Sequence, residues 1–222
     1  MKLSVSKNAD DMKDTGNGGG FINNSGIYDI TLNYVQVADT KNGAKQLNFN
    51  VTNQGQDQTI YGPILFSTEG KLNEITNGLL NRLCVIAGME DCQDIETEEA
   101  EYPVGKDQKM MEMLVIPELA DLELKMRVQM EYSVWKENIQ ERKAIKAFYR
   151  EDGATASEAE SGEDIGSQLA VHKEKYASNV TYKDGLTADD VAEWQKTRFS
   201  KAAEDKSAPK AKSTAKRPLF GK

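Results

Sequence analysis

One alternating stretch, Leu122 to Val134, constrains the fold of this chain more than any other feature. Apolar residues occupy every second position, and charged or polar residues fill the positions between them. Side chains of a β-strand point alternately to its two faces, so this period of two predicts one buried and one solvated face. A strand of this length, roughly 40 Å at about 3.4 Å per residue, is longer than usual. We therefore expect it to bend and to serve both halves of a small barrel.

Shorter alternating segments surround this long strand. They predict strands at 26–34, 46–51, 58–66, 110–116 and 141–149. Between the third of the strands and the long one, apolar residues from Leu72 to Ile86 recur three or four positions apart. This spacing predicts a helix, and Gly88 is a suitable C-terminal stop. Asn42–Gly43 supplies the positive φ that a tight turn between the first two strands requires.

The order of these elements predicts the fold class. Three strands, a helix and two main strands is the order of an OB-fold, a barrel that binds oligonucleotides or oligosaccharides on its outer face. We expect a mainly β protein, a five-stranded OB-fold barrel with a helix between strands 3 and 4. A mostly disordered C-terminal extension with a short helix follows it. Strand order alone leaves a general β-sandwich open as the alternative.

Composition divides the chain into five parts. Residues 1–24 are polar and glycine-rich and predict a flexible N-terminal arm. The strand order predicts an OB-fold domain over 25–150, which we expect to bind nucleic acid. Residues 151–186 predict an acidic linker of low order because they contain few large apolar side chains. A capping box that begins at Thr187 predicts a short amphipathic helix over 187–200. Residues 201–222 predict a basic flexible tail.

Charge is unevenly distributed along the chain. It has 28 basic and 36 acidic residues, a net charge of −8. From Lys196 onward, nine basic and two acidic residues give +7, so the preceding part carries −15. An acidic body with a basic tail indicates that the tail makes contacts of its own.

The sequence lacks the usual signs of catalysis, secretion and membrane insertion. The one histidine and two cysteines fit no zinc, redox or disulfide pattern, and no nucleophile elbow occurs. The acidic stretch 90–101 lacks the glycine-broken spacing of a calcium loop, so we interpret it as a solvated loop. Met1 to Asp14 lacks the apolar core of a signal peptide, and no apolar run approaches a membrane span. We expect a soluble protein that is not an enzyme and has no metal site and no cofactor.

Binding of single-stranded nucleic acid needs cations for the phosphates and aromatic faces for the bases. Both residue types occur together on the predicted outer strands and turns. The candidate DNA-binding residues are Lys41, Lys45, Tyr61, Lys125, Arg127, Trp135, Lys136, Arg142, Lys143, Lys146 and Tyr149. Tyr34 and Phe49 fall on the apolar faces of their strands, so we assign them to the core. The alternative interpretation is that the candidates are ordinary solvated charges and core aromatics, which an antiparallel sheet also carries.

Several stretches resemble a family of bacteriophage proteins that bind single-stranded DNA. They are Ser25 to Leu32, Lys41-Asn-Gly with Leu47-Asn-Phe, Leu79 to Leu83, Ile116-Pro-Glu-Leu119, Arg142 to Tyr149, and Gly153 to Ala156. The resemblance covers about Ser25 to Ala156. It implies an OB-fold that coats single-stranded DNA, without strong sequence preference, during phage replication or recombination. The implied location is the cytoplasm of the infected bacterial host.

The resemblance also implies partners. Single-stranded DNA is the first, and phage or host replication and recombination proteins that bind the C-terminal tail are the second. An oligomer is compatible with the sequence, and no membrane contact is expected. Many members of this family end in an acidic tail, whereas this tail is basic, so the role of the tail does not transfer. The alternative function is a non-catalytic protein-interaction module of the OB type, a scaffold or inhibitor with an acidic surface.

Overall fold

The computed structural model describes residues 20–90, 93–105, 107 and 109–207. The strands are β1 (Gly26–Asp39), β2 (Lys45–Asn53), β3 (Gln56–Phe66), β4 (Glu98–Val104), β5 (Lys109–Ile116), β6 (Leu122–Trp135), β7 (Asn138–Arg150) and β8 (Thr181–Tyr182). The helices are α1 (Glu74–Ile86), α2 (Ala156–Ser161), α3 (Ser167–Tyr176) and α4 (Ala188–Ser207), with a 3-10 turn at Pro117–Leu119. The mainly β class is therefore confirmed, as is a helix after the third strand. None of the helices in these described ranges is long and apolar enough to cross a membrane.

The strands form an open antiparallel sheet, so the prediction of a closed five-stranded barrel is wrong. The main path runs β3-β2-β1-β5-β4, and β6 pairs with β1, β7 and β8. Strand β1 is shared: Gly26–Leu32 pairs with β6, and the segment from Thr31 to Asp39 pairs with β2. On the edge of β1 away from β2, Val35 and Gln36 pair with β5. Around Val35 and Gln36, β1 is therefore paired on both edges, with β2 on one side and β5 on the other. The β4–β5 hairpin extends the sheet beyond β1.

A bulge bends β1 at Asn33. Leu32 lies opposite Val51 of β2, and Tyr34 lies opposite Asn50, so Asn33 is an extra residue on one strand. Such a bulge bends its strand and changes the direction of the neighbouring side chains. It separates the segment of β1 that pairs with β6 from the segment that pairs with β5.

The core matches the period-two and helical patterns. Strand β6 buries Leu124, Met126, Val128 and Met130, as predicted for the long strand. Phe49 is fully buried in the main cluster with leucines of α1, which confirms its core assignment. Tyr34 is also buried but belongs to a second cluster with Met113 and Val115 of β5.

Helix α1 begins at a local cap. The side chain of Asn73 accepts hydrogen bonds from the backbone N–H groups of Ile75 and Thr76, at 3.1 and 3.2 Å. An N-cap of this kind pairs donors that a helix start otherwise leaves unsatisfied. The helix packs on the sheet through Leu79, Leu80 and Leu83, which are all buried.

Two regions predicted to lack order carry defined elements. The 151–186 segment contains α2, α3 and β8, and its Leu169 and Glu158 are buried. The 90–101 stretch, predicted to be a loop, contains most of β4, which pairs with β5 over its whole length. At the end of the predicted N-terminal arm, Ile22 is fully buried. In these places distant partners supply order that composition does not reveal.

The predicted short helix at 187–200 corresponds to α4, which extends to Ser207. Its capping box is present, because the hydroxyl of Thr187 accepts from the N–H of Asp190 and the carboxylate of Asp190 accepts from the N–H of Thr187. Most of the predicted arm, residues 1–19, and most of the predicted tail, residues 208–222, lie outside the described residues.

The chain separates into two compact units. Among the described residues, the first unit comprises 20–131 and 141–181, and the second comprises 132–140 and 182–207. In the second unit, Tyr132 stacks on Tyr182 with ring centroids 5.9 Å apart, and its hydroxyl accepts from Gln195 at 3.0 Å. Lys136 and Glu137 form the turn between β6 and β7 with φ of 46° and 66°. This pair of positive angles is typical of a type I′ hairpin turn.

Candidate nucleic-acid interface

The outer face of β1–β3, here called the meander face, is built by alternation. Core residues of β2 such as Leu47, Phe49 and Val51 point to one side, so the intervening residues point to the other. The same holds for β3, where Ile60 is buried between exposed neighbours. The meander face consists of Asn33, Gln36, Asn48, Asn50, Thr52, Asp57, Thr59 and Tyr61. It carries amides and hydroxyls where many sheets carry lysine and glutamate.

Hydrogen bonds hold these polar side chains in fixed positions. The bulge residue Asn33 donates through its amide to Asn50 Oδ1 at 2.7 Å and to Thr52 Oγ1 at 3.0 Å. Thr52 in turn donates to the carboxylate of Asp57 at 2.6 Å. Asn50 donates to the hydroxyl of Thr59 at 3.3 Å. A network of this kind orients donors and acceptors before any ligand arrives.

Tyr61 stands on this face with 67% of its surface exposed. Its cross-strand neighbour on β2 is Asn48. Asn48 donates to Gln36 Oε1 at 3.2 Å, and its own Oδ1 is buried without a hydrogen-bond partner among the described residues. An exposed aromatic ring can stack on the flat ring of a ligand, and neighbouring amide groups can form hydrogen bonds with the edge of that ligand.

Two lysines lie in the β1–β2 hairpin, at one end of these strands. Lys41 is exposed in the turn, and Lys45 begins β2 in phase with Leu47, so its side chain is directed away from the meander face. The ammonium of Lys45 is 2.8 Å from the carboxylate of Asp39. Lys41, Lys45 and Tyr61 are therefore three predicted site residues that the structure brings to one hairpin and its neighbouring strand.

A groove lies at the other end of this face, against the β4–β5 hairpin. We call it the hairpin groove; its volume is about 660 Å³. The residues that line it include Phe21, Tyr34, Asn50, Thr52, Asp57, Gln58, Tyr102 and Asp121. The rings of Tyr34 and Tyr102 are tilted at 33° with centroids 4.1 Å apart, and burial raises the pKa of both hydroxyls. The described lining contains two carboxylates and no lysine, arginine or histidine.

Phe21 stands at the rim of this groove, 48% exposed, on a firmly anchored backbone. The carbonyl of Gly20 accepts from Asn53 Nδ2 at 2.8 Å and from Gln58 Nε2 at 3.0 Å. On its other side, the N–H of Ile22 donates to Gln58 Oε1 at 3.0 Å. The backbone is therefore anchored on both sides of Phe21, while its ring is exposed to solvent.

The candidate residues of β6 and β7 lie in other surroundings than the sequence predicts. Lys125 forms an ion pair with Asp29, and Lys146 forms one with Glu131 at 2.6 Å. Arg127 lies over the ring of Tyr176 of α3, 5.2 Å from its centroid. These contacts occupy cations that were expected to face a phosphate backbone.

The remaining candidates of β7 differ from one another. Arg142 is exposed, as predicted. Lys143 is half-buried, and burial lowers the pKa of its ammonium. Tyr149 is fully buried, and its hydroxyl is 2.7 Å from His172 Nδ1, so its prediction as a surface aromatic is corrected. The irregular end of β7 buries both Phe148 and Tyr149, which strict alternation does not anticipate.

Trp135 and Lys136 lie in the second unit, at the end of the β6–β7 hairpin. Trp135 is 61% exposed, and the ammonium of Lys136 is 4.3 Å from the centroid of its ring. The predicted outward direction of Trp135 is therefore confirmed. This arrangement is a cation–π pair, and it presents a ring and a positive charge together.

Sequence reasoning missed Phe21, Tyr102 and the amide network. Phe21–Ile22 is an isolated apolar pair at the end of a polar arm, and this was an available signal. Within the described residues, no group of three or more His, Cys, Asp or Glu is placed to hold a metal ion. No protein-family model matches the chain, and no curated protein sequence matches it.

Proposed function

We propose that the chain binds single-stranded DNA through the meander face, with little sequence preference, as a non-catalytic coating protein of phage replication or recombination. The observation that carries this proposal is Tyr61, an exposed ring on an amide-lined sheet face, with Lys41 exposed in the adjoining β1–β2 turn. Ring stacking on bases and cations near phosphates are the two requirements for such binding. Single strands expose base faces, whereas a duplex hides them.

The arrangement of strands supports an open OB-type fold as part of this proposal. Three strands, α1 and then the long β6–β7 pair follow in the order expected of an OB-fold, with the β4–β5 hairpin inserted before β6. Strand β1 pairs with β2 along one half and with β6 along the other. In OB-folds, strands 2 and 3 and the first turn form the oligonucleotide-binding surface. Tyr61, Asn48 and Lys41 occupy those positions here.

A second candidate function is binding of a basic protein partner at the β4–β5 hairpin. Glu98, Glu99 and Glu101 are exposed on β4, and Glu101 lies directly opposite Glu112 of β5. Like charges in such cross-strand pairs destabilise a hairpin. A positively charged partner bound to these carboxylates would offset their repulsion.

The test compares a labelled single-stranded oligonucleotide with the matching duplex across a salt series. We expect the single strand to bind more tightly and its affinity to fall as salt rises, because phosphate contacts release counterions. Tyr61→Ala should weaken binding by about 1–3 kcal/mol, the usual value of one stacked base, without a change in melting temperature. Ile75→Ala is the matched control, since Ile75 is an 85% exposed side chain on α1.

Two results would reject the proposal. Equal affinity for duplex and single strand would show that base faces are not recognised. The second candidate would be favoured if no DNA binds at low salt. It would be supported further if the chain binds a basic protein and this binding is lost when Glu101 and Glu112 are replaced.

A further inference from the structure

We propose that the hairpin groove is a base-binding subsite that selects cytosine and adenine, whose amino group is at the pyrimidine 4 or purine 6 position, over bases that carry a carbonyl at that position. This inference rests on the proposed function and adds a base preference at one subsite, while the rest of the meander face tolerates any sequence. It names the carboxylates of Asp57 and Asp121 as the selecting groups.

Charge determines what this groove can accept. Ionised carboxylates only accept hydrogen bonds, so Asp57 and Asp121 match an amino group and oppose a carbonyl oxygen. In duplex readout, acidic side chains accept from the amino group of cytosine in the same way. With two acids and no basic residue in its described lining, the groove also repels phosphate. A strand would therefore place a base inside the groove and keep its backbone outside.

The acceptors are held in position before binding. Asp57 receives the hydroxyl of Thr52 at 2.6 Å, and Thr52 is fixed by Asn33 of the bulge. Asp121 has a φ of 54°, and its backbone N–H donates to the carbonyl of Asn33 at 3.3 Å. The carboxylate of Asp57 and the backbone of Asp121 are thus both anchored through the same bulge residue. Groups fixed in this way lose little entropy when a ligand binds.

Aromatic rings provide a surface for the base. Phe21 is anchored at the rim with its ring exposed, and Tyr34 and Tyr102 form a paired aromatic wall. A volume of about 660 Å³ lies within the range of pockets that hold small ligands. A base stacked on the exposed ring of Phe21 would present its edge to the polar side of the groove.

The test uses oligo-dC and oligo-dU of equal length at mildly alkaline pH, with salt held constant. These bases differ at the amino or carbonyl group and at the adjoining ring nitrogen, so backbone contacts and stacking are matched. We expect oligo-dC to bind about tenfold more tightly, the order of discrimination that one well-placed base contact gives. Fluorescence anisotropy of end-labelled oligonucleotides measures both affinities.

Variants assign the selectivity to the groove. Asp57→Asn with Asp121→Asn keeps the side-chain size, and asparagine tolerates the positive φ at 121. An amide can donate to a carbonyl, so the dC to dU ratio should fall to about one, with melting temperature unchanged. Tyr61→Ala, outside the groove, should weaken both oligonucleotides and keep the ratio. Phe21→Ala should also weaken both.

Each outcome bears on one proposal. If the wild type binds oligo-dU as tightly as oligo-dC, the subsite inference is wrong while single-strand binding stands. If the ratio survives in the double asparagine variant, Asp57 and Asp121 do not select the base. If neither oligonucleotide binds, the proposed function itself is rejected.

Discussion

Glu158 gives the sharpest test of order in the segment that composition predicts to be a linker. Its carboxylate is 6% exposed and connects α2 to the start of α3. It accepts from the N–H and hydroxyl of Thr155 at 2.8 and 3.1 Å. It also accepts from the hydroxyl of Ser167 at 2.7 Å and the N–H of Gln168 at 2.9 Å. Burial raises the pKa of Glu158, but these hydrogen bonds outweigh burial and lower it from 4.5 to about 2.

The pKa difference sets the magnitude. A fall from 4.5 to about 2 corresponds to roughly 3 kcal/mol of folding free energy at neutral pH. Glu158→Gln removes the charge and replaces one acceptor oxygen by an NH₂ group that faces donors. We expect it to lower the free energy of unfolding by about 2–3 kcal/mol at neutral pH. Because the folded pKa lies below the unfolded one, this contribution is present above the unfolded pKa. It is lost as pH falls toward the folded value, so wild type and variant should converge in acid.

Urea unfolding followed by far-UV circular dichroism measures this difference at neutral pH and in steps down to about pH 3. Glu160→Gln is the matched control, because Glu160 is exposed on the same helix. A loss below about 0.5 kcal/mol, the usual range for surface substitutions, would refute the reasoning. A difference that stays constant with pH would show that the charge of Glu158 is not responsible.

Three further predictions concern other parts of the chain. Met130→Asp buries a charge and should abolish folding, whereas Trp135→Ala should keep the melting temperature in thermal unfolding. If Trp135 stacks a base in addition to Tyr61, its replacement should also weaken single-strand binding by about 1–3 kcal/mol in the anisotropy assay. Gly62→Ala places a methyl group 2.4 Å from a backbone carbonyl oxygen and should destabilise the fold by about 1–3 kcal/mol in urea unfolding. Gly78→Ala in α1 has room for its methyl group and should stabilise the fold, because alanine favours a helix more than glycine does. Burial, together with the charge of Glu118, raises the pKa of the Cys84 thiol to about 11. In a Cys92→Ser variant, a maleimide should therefore label Cys84 far more slowly in the folded protein than in the denatured protein.

Local patterns predicted the elements whose order comes from local chemistry. The alternation of β6 and the spacing of α1 follow directly from which residues must face the core. Segments stabilised by distant partners were missed. Ile22 depends on Gln58, 36 residues away, and α2 and α3 depend on hydrogen bonds to one buried glutamate. Composition treats such a segment as polar and without structure, because the partner that satisfies it is elsewhere in the chain.

The candidate site was predicted in part for a similar reason. A lysine on a strand shows a charge but does not show what lies across the sheet. Lys125 pairs with Asp29, 96 residues away, and Arg127 lies against a ring of α3. The directions of Tyr61 and Trp135 required only alternation and a turn, and both rings are exposed. Alternation also explains why the amides of the meander face were overlooked, since uncharged polar residues look like ordinary solvent-facing positions.

The open sheet has a consequence for how closely spaced copies of this protein would interact. Among the described residues its path ends at β4, and a strand edge without a partner can pair with another sheet wherever two copies meet. Under the proposed function, many copies line up on one DNA strand at a local concentration far above that of the bulk solution. Glu98, Glu99 and Glu101 place carboxylates along that edge, and Pro103 lacks the N–H that a new ladder needs. Under the proposed function we expect these charges to keep neighbouring copies from pairing at β4, so that a coated strand would remain a row of separate molecules.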